Sequence, residues 1–315
     1  MAVRAFLLVT GPMRSGTTLM GELLYSRYLA MPRHPELSFA NDTVSLVRDF
    51  SARARRDTVP PVALMDTRRP IPVPDGEGSS LWSRLVEAVT AAAPLAEPPS
   101  VIGVKTTCLL GESALLRQIL PVPVSTVLML RDPRDVFAST LGRNRKLPGM
   151  TPEDALGTAA MNTAFLMNYH AALSASGRLG DALVIRYEDL IADVEGHIRR
   201  ILAMVGLSAE QYDFASIQAG KVPSNSSRLN IGPDDAEPMH GIDPSSRGSF
   251  RTMLSPDEIR LVECMTGPFM DAFGYPRMFA PDPGHDIRIM DSVAPLVTKI
   301  AHEHGYFLEP LSPQG

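Results

Sequence analysis

The fold is decided by residues 5–18, which read AFLLVTGPMRSGTT. The apolar run over residues 5–9 ends at Gly11-Pro12, which is the pattern of a short buried strand. After Thr17, apolar side chains recur at the spacing of a helix, at Leu19, Met20, Leu23 and Leu24. The stretch therefore predicts a strand, a glycine loop and a helix in direct succession.

The loop over residues 11–18 has the composition of a phosphate site. Backbone N–H groups of such a loop, together with the helix start that follows, present positive partial charge to an anion. Gly16 allows the backbone to approach a ligand closely, and Arg14, Thr17 and Thr18 add side-chain donors. Thr17 stands where a nucleotide triphosphatase has its lysine, and the dinucleotide pattern G-x-G-x-x-G is absent. The loop therefore predicts a phosphate ligand without matching either of these two classes.

The rest of the chain alternates strand-like and helix-like segments. Further strands are predicted over 101–104, 124–130 and 182–186, and helices begin near Asp132, Thr151, Asp193 and Ser255. The late helix is expected to run from Ser255 to about Phe273. We expect a single α/β domain over residues 1–315, in which helices flank a central, mostly parallel, doubly wound sheet. Its core spans about residues 4–275, and residues 276–315 form an extension without an informative pattern.

A second phosphate-binding candidate follows the strand predicted over residues 124–130. Arg131 leaves the end of this strand, which is where ligands bind in open α/β sheets. Ser139 lies two turns into the following helix, and Arg143 lies one turn further along the same face. Because a guanidinium group offers a fork of donors, Arg131 suits a phosphate group.

These two elements, taken together, resemble the sulfotransferase superfamily. Its 5′-phosphosulfate loop reads Pro-[Lys/Arg]-x-Gly-Thr-[Thr/Ser], and residues 14–18 resemble the arginine form of this loop, with Met13 as an extra residue. That form is common in bacterial members and in tyrosylprotein sulfotransferases. Arg131 and Ser139 resemble the family's 3′-phosphate motif. The resemblance implies that the chain moves a sulfuryl group from 3′-phosphoadenosine 5′-phosphosulfate (PAPS) to an acceptor and leaves 3′-phosphoadenosine 5′-phosphate (PAP).

The resemblance also implies roles for individual residues. Lys105, at the end of the strand over 101–104, is implied to stabilise the transition state together with Arg14. Each of three residues also has an alternative interpretation. Lys105 could be an ordinary solvated lysine, Tyr187 a tyrosine packed at a strand end, and Arg251 part of a solvated basic loop. The residues implied to bind the cofactor are Arg14, Ser15, Gly16, Thr17, Thr18, Arg131, Ser139, Arg143, Tyr187 and Arg251.

The general base is expected to be a glutamate. Cytosolic aryl and steroid members of the family carry histidine where Thr107 stands, and a threonine hydroxyl is no base near neutral pH. Glu36 lies close to where the tyrosylprotein type carries its glutamate, and partial burial would raise its pKa toward that of an effective base. His34 is the first alternative because its pKa is already near neutrality. His170 and His240 are further alternatives.

Charge and cysteine content limit the ligands and the cellular compartment that the sequence predicts. The 315 residues include 30 Lys+Arg and 35 Asp+Glu, and this net charge of −5 argues against a nucleic-acid binder. The 2 cysteines suit a reducing compartment, so we expect a cytoplasmic protein. The cysteines also lack metal-ligand spacing, so no metal is expected. No apolar run is long enough for a membrane span.

The sequence says less about the sulfuryl acceptor and about the oligomeric state. The resemblance implies a hydroxyl of a small-molecule, glycan, lipid or carrier-bound acceptor, and the sequence leaves its identity and the oligomeric state open. One alternative function is a P-loop kinase for a nucleotide or small molecule, which would need a lysine in the loop. The other is a catalytically inactive nucleotide-binding module, against which the presence of Glu36 argues.

Overall fold

The computed structural model describes residues 3–24, 29–30, 99–105, 120–218, 242 and 246–303, together with isolated positions within 82–90 and 113–117. The chain forms two compact units. The first comprises Met1–Leu130 and Leu179–Pro244, and the second comprises Arg131–Arg178 and Ser245–Gly315. The expectation of a single domain over residues 1–315 stays a prediction.

The helices are named here in chain order. They are α1 (Thr17–Leu24), α2 (Pro133–Asn144), α3 (Pro152–Ala175), α4 (Tyr187–Ala192), α5 (Val194–Met204), α6 (Phe214–Gln218), α7 (Phe250–Met253), α8 (Pro256–Met265), α9 (Gly267–Phe273) and α10 (Pro283–Glu303), with a 3₁₀ turn over Ala209–Gln211. Within the described ranges, no helix is both long and apolar enough to cross a bilayer.

The first unit is built on a parallel sheet. Its strands are β1 (Ala5–Thr10), β2 (Leu29–Ala30), β3 (Val101–Lys105), β4 (Val124–Leu130) and β5 (Leu183–Arg186), in the spatial order β2-β3-β1-β4-β5. The described strand pairs all run parallel. Every residue of β1 is buried, as its apolar run predicted. The predicted α/β class with a mostly parallel sheet is confirmed.

Helices α1, α4 and α5 pack on this sheet. Met20 of α1, Leu190 of α4 and Ile201 of α5 share a buried core with Leu7 and other apolar residues of the strands. The α5 helix begins as its sequence predicted, because the Asp193 carboxylate accepts a hydrogen bond from the N–H of Gly196 at 2.9 Å. This packing holds the carboxyl ends of the strands in fixed positions beside the loop that starts α1.

The second unit is helical. The α2 and α3 helices begin at the predicted capping residues, where the side chains of Asp132 and Thr151 accept hydrogen bonds from the N–H groups of Arg134 and Asp154. Proline occupies the first turn of both helices, where its missing N–H costs nothing. Ser255 and Glu258 form a capping box at the start of α8. The core of this unit contains Phe137, Leu141, Ala159, Phe250, Val262 and Val293.

The late helix differs from its prediction in one respect. It is interrupted at Thr266, so that α8 ends at Met265 and α9 begins at Gly267. Pro268 lies in the first turn of α9. A proline at this position cannot donate to the carbonyl four residues earlier, and its ring displaces that carbonyl. The break therefore follows from Pro268, whereas a continuous helix was expected on the apolar pattern.

The C-terminal helix α10 was missed by the sequence reasoning. Its buried Val293 and Ile300, and the half-buried Ile289 and Val297, lie at helical spacing on one face. Val293, Ile289 and Val297 pack into the core of the second unit, so part of the predicted extension over 276–315 belongs to that core. Pro283 in the first turn and this spacing were the signals available in the sequence.

Candidate functional site

The loop between β1 and α1 contains residues with left-handed backbone conformations. Arg14 has φ of 66°, and it is the only non-glycine residue with positive φ among those that the structure describes. A left-handed conformation at a residue with a side chain costs on the order of 1–3 kcal/mol, so the surrounding structure must impose it. This strained position is also the residue that supplies the loop's guanidinium group.

Two glycines of this loop lie where no side chain fits. A Cβ atom at Gly11 would lie 2.2 Å from the carbonyl oxygen of Met129, and one at Gly16 would lie 2.6 Å from Cδ2 of Tyr187. Gly16 also has φ of 92°, which favours glycine over other residues. The loop is therefore packed tightly between the neighbouring strand β4 and the tyrosine that starts α4.

The hydroxyl of Ser15 is buried without a partner inside the described part of the chain. Ser15 is 0% exposed, and its Oγ atom makes no hydrogen bond there, although its N–H donates to the carbonyl of Pro12 at 3.2 Å. An unsatisfied buried hydroxyl is unfavourable by roughly 1–3 kcal/mol, and a bound anion would satisfy it. This hydroxyl is a group that a ligand bound at the loop would satisfy.

Lys105 joins the loop from the neighbouring strand. It is the last residue of β3 and lies beside Val9 of β1 in the parallel register. Its ammonium Nζ donates to Oγ1 of Thr18 at 3.3 Å. Because Thr18 is in the first turn of α1, this contact brings the lysine's charge to the helix start, where the free N–H groups of the first turn also point. The structure thus brings Lys105 together with residues 14–18.

Tyr187 also packs at the same loop. It begins α4 directly after β5, and its ring is buried against Gly16. A ring in this position restricts the loop's backbone and covers one side of it. Contact between Tyr187 and the nucleotide stays a prediction, and the packing role is the one the structure describes.

The second group of predicted residues lies on α2 in the other unit. Arg131 precedes the Asp132 cap and is buried, while Ser139 and Arg143 lie one turn apart on the helix and are half-buried. The Nε atom of Arg143 is buried and has no hydrogen-bond partner inside the described ranges. A buried guanidinium N–H of this kind favours an anionic ligand nearby.

The segment from Ser246 to Arg251 lies against the start of α2. Arg131 donates from Nη2 to the carbonyl oxygen of Ser246. Asp135 accepts hydrogen bonds from the backbone N–H of Gly248 and of Phe250, at 2.7 and 3.0 Å. Arg251 is exposed, and its guanidinium lies 5.1 Å from the centre of the Phe250 ring. The structure thus places Arg251 on the segment that contacts Arg131.

A buried ion network beside this segment was not predicted from the sequence. Arg134 is 2% exposed and binds two carboxylates, with 2.7 Å from Nη2 to Oδ2 of Asp132 and 2.7 Å from Nη1 to Oε1 of Glu263. Glu263 also accepts from the N–H groups of Met278 and Phe279. The clustered charges of residues 131–135 were the available signal, but their partner at Glu263 is 129 residues away from Arg134.

The predicted bases are only partly within the described structure. Glu36, His34, His240 and Thr107 lie outside the described residues. His170 is 0% exposed, and its Nδ1 lies 2.6 Å from the carbonyl oxygen of Leu166. Burial lowers its pKa to about 4, against which the hydrogen bond to Leu166 acts weakly. A histidine held this deep in the second unit is poorly placed to take a proton from an acceptor.

No metal-binding cluster is present in the described ranges. No group of three or more histidine, cysteine, aspartate or glutamate side chains there is arranged to hold an ion. The predicted site residues that carry a positive charge are Arg14 and Lys105 in the first unit and Arg131, Arg143 and Arg251 in the second.

Solved structures similar to this chain are sulfotransferases and a dehydratase. The sulfotransferase domain of the Synechococcus PCC 7002 olefin synthase has 16% identity and a TM-score of 0.47, covering 87% of this chain and 96% of its own. Sulfotransferase STF9 from Mycobacterium avium has 15% identity and a TM-score of 0.47, with 87% and 78% covered. Retinol dehydratase in complex with retinol and PAP has 19% identity and a TM-score of 0.42, with 89% and 85% covered. No curated protein sequence matches the chain.

The decisive similarity is to a protein family as a whole. Residues 7–211 match the family model described as Sulfotransferase family, and this range covers more than half of the chain. It includes the loop over residues 11–18, Lys105, the motif from Arg131 to Ser139 and Tyr187. This match confirms the predicted enzyme class, a PAPS-dependent sulfotransferase, since the chain belongs to the sulfotransferase family.

Proposed function

We propose that the protein transfers the sulfuryl group of PAPS to a hydroxyl of a small-molecule, glycan, lipid or carrier-bound acceptor, with Glu36 as the general base. The observation that carries the proposal is the contact of Lys105 Nζ with Thr18 Oγ1 at 3.3 Å. It brings a cation from the end of a strand to a phosphate loop whose own cation is Arg14. The 2 cysteines of the chain suit the reducing cytoplasm as the site of this reaction.

The loop residues Arg14 to Thr18 would hold the 5′-phosphosulfate. The buried Ser15 hydroxyl gains a partner when an oxyanion lies in the loop. Arg14 and Gly16 have positive φ, and left-handed residues of this kind occur in backbone nests that bind anions. Thr17 and Thr18 begin α1, so that the positive end of the helix dipole lies at the same loop. The residues present therefore fit an anionic group.

The residues of α2 would hold the 3′-phosphate. Arg131 and Ser139 supply a guanidinium and a hydroxyl, and Arg143 adds a buried Nε–H that needs an acceptor. Arg251 supplies a further positive charge from the segment next to Arg131. Charge-assisted hydrogen bonds of this kind are about twice as strong as neutral ones. They would account for a preference for nucleotides that carry a 3′-phosphate.

PAPS would supply an activated sulfuryl group, and the protein's side chains would accept a proton and stabilise the charge that develops. Glu36 accepts the proton of the acceptor hydroxyl while the new bond from oxygen to sulfur forms. The bond between sulfur and the oxygen that bridges it to the 5′-phosphate breaks, and negative charge develops on that oxygen. Arg14 and Lys105 stabilise this charge, so no metal ion is needed for it. In-line alignment of the three atoms is the contribution of the loop.

The assignment of the base is tested by paired substitutions. Glu36→Gln keeps the size of the side chain and removes its basicity, so turnover should fall about 10²–10⁴-fold while PAP binding is retained. His34→Gln is the matched control two residues away, and its turnover should stay near that of the unmodified protein. The reverse pattern would assign the base to His34.

The cofactor is tested by ligand-induced stabilisation. Thermal unfolding is measured with PAP and, separately, with ATP plus Mg²⁺. A ligand at 100 times its dissociation constant stabilises a protein by about 2.7 kcal/mol, and we expect this for PAP only. Stabilisation by ATP–Mg²⁺ alone would instead support a P-loop kinase. PAP binding without sulfuryl transfer to any member of a panel of hydroxyl acceptors would support an inactive nucleotide-binding module.

A further inference from the structure

Asp135 is a buried carboxylate that binds one distant segment of the chain through three donors. It is 1% exposed and lies in the first turn of α2. Its Oδ2 accepts from the N–H of Gly248 at 2.7 Å, and its Oδ1 accepts from the hydroxyl of Ser249 and the N–H of Phe250, both at 3.0 Å. A buried carboxylate is strongly unfavourable unless its lone pairs are satisfied, so these three bonds hold the segment closely.

The segment held in this way also orients Arg131. The carbonyl oxygen of Ser246, two residues before Gly248, accepts a hydrogen bond from Nη2 of Arg131. Arg131 immediately precedes the Asp132 cap of α2, and Asp135 lies in the first turn of that helix, so residues 131–135 bind the segment at two points. The direction of the Arg131 guanidinium thus depends on where Ser246 lies, and the position of Ser246 depends on Asp135.

The segment over residues 246–251 ends at Arg251, which carries a second positive charge near Arg131. Phe250 is buried, and the guanidinium groups of Arg134 and Arg251 lie over its ring at 4.5 and 5.1 Å. The N–H of Arg251 donates to the carbonyl of Gly248, which closes a turn directly after the residue that Asp135 binds. The position of the Arg251 backbone is therefore set by the same carboxylate.

From these contacts we propose that Asp135 is a positioning residue for recognition of the 3′-phosphate, acting through Ser246 on Arg131 and through Phe250 on Arg251. The proposal rests on the proposed function, in which Arg131 and Arg251 bind that phosphate. In this proposal Asp135 acts without contacting the nucleotide, since its carboxylate binds the segment's donors and its negative charge disfavours contact with a phosphate.

The test compares two nucleotides that differ in the 3′-phosphate alone. Dissociation constants for PAP and for adenosine 5′-monophosphate are measured by calorimetry on the full chain. In Asp135→Asn, one acceptor oxygen becomes an NH₂ group that faces a donor, so the segment is released at one point. We expect the affinity for PAP to fall about tenfold while the affinity for the monophosphate changes less than about twofold.

Asp286→Asn is the matched control. Asp286 is a half-buried carboxylate of the second unit, and it accepts hydrogen bonds from Nε of Arg260 at 2.7 Å and from the N–H of Asp282 at 3.2 Å. This variant should lower the melting temperature and leave the ratio of the two dissociation constants unchanged. The proposal would be overturned if the dissociation constant for the monophosphate divided by that for PAP fell equally in both variants, or if it did not change in Asp135→Asn.

A second variant covers the case in which Asp135→Asn does not fold. Ser249→Ala removes one of the three donors from a half-buried position, and it should weaken PAP binding about threefold without affecting the monophosphate. An unchanged ratio in this variant then overturns the proposal. If the unmodified protein has no preference for PAP over the monophosphate, the proposed function itself is contradicted, which separates its failure from that of the Asp135 assignment.

Discussion

Lys105 Nζ lies 3.3 Å from Thr18 Oγ1, although 87 residues separate the two in the sequence. The parallel pairing of β1 with β3 produces this contact, because it places Lys105 beside Val9 at the end of the strand that enters the phosphate loop. A side chain held at the carboxyl edge of a parallel sheet is in the position where such folds bind their ligands.

Replacement of Lys105 by methionine should therefore reduce the turnover rate more than it reduces the affinity for PAPS. The substitution keeps most of the apolar stem and removes the charge that, in the proposed function, stabilises the leaving phosphate. We expect kcat to fall about 10²–10³-fold, with a smaller rise in KM for PAPS. Lys299→Met is the control, since Lys299 is exposed and bonds to Asp154 on a helix of the second unit. Equal loss in both variants would contradict the role of Lys105.

Gly16→Ala should destabilise the protein and weaken donor binding. The new Cβ would lie 2.6 Å from the Tyr187 ring, and the backbone has φ of 92°. We expect a loss of about 3 kcal/mol in the free energy of unfolding, measured in urea.

A matched glycine separates backbone strain from the clash with Tyr187. Gly149 has φ of 78° with nothing within 4 Å of a built Cβ, so Gly149→Ala should cost only about 1 kcal/mol. Equal costs at Gly149 and Gly16 would show that Tyr187 does not constrain the loop.

The stability of the protein should fall below about pH 6.5 because of His170. Burial lowers its pKa in the folded state to about 4, from an ordinary value of 6.5. Between these values the unfolded chain binds the extra proton and the folded chain does not, so unfolding becomes more favourable as the pH falls. The contribution is present in full above pH 6.5 and is lost toward pH 4, on the order of 3 kcal/mol.

The measurement is the free energy of unfolding against pH for the unmodified protein and for His170→Gln. The variant retains a side-chain donor that reaches the Leu166 carbonyl, but it does not titrate. We expect a flatter profile between pH 6.5 and about 4. An identical slope in the two proteins would assign the pH dependence to other groups.

Gly157→Val should weaken the attachment of α10 to α3. A Cβ at Gly157 would already lie 3.1 Å from Cβ of Leu296 and 3.3 Å from its carbonyl oxygen. We expect a loss of about 2 kcal/mol, seen as a lower melting temperature. Gly142→Val is the control, because a Cβ at Gly142 would meet only the terminal methyl of the exposed Met253 side chain, at 3.3 Å, and this side chain can move aside. Equal losses at the two glycines would contradict a close approach of α10 to Gly157.

Local sequence patterns predicted the elements that depend on neighbours in the chain. The apolar run before Gly11 predicted β1, and the Asp132-Pro133 pair predicted the start of α2, because strand burial and helix capping are decided within a few residues. The left-handed turns at Arg14 and Gly16 also lie within one short stretch, and the phosphate ligand of this loop stays a prediction.

Features that join distant parts of the chain were not predicted. The carboxylate of Asp135 meets Phe250 across 115 residues, and Arg134 meets Glu263 across 129. No local pattern indicates which acid a buried arginine will bind, because that choice depends on how α2 and α8 pack. The α10 helix was missed for a different reason, since its apolar positions were judged without the α3 surface that covers them.

The hydrogen bond between Arg131 and Ser246 also limits when this part of the protein can fold during its synthesis. The two residues are 115 positions apart, so Arg131 leaves the ribosome long before the segment that orients it. Contacts between such distant residues form late and slow the folding of the unit that contains them. A nascent chain that ends before Ser246 therefore carries Arg131 without this hydrogen-bond partner, and the bond forms only after translation has passed Ser246.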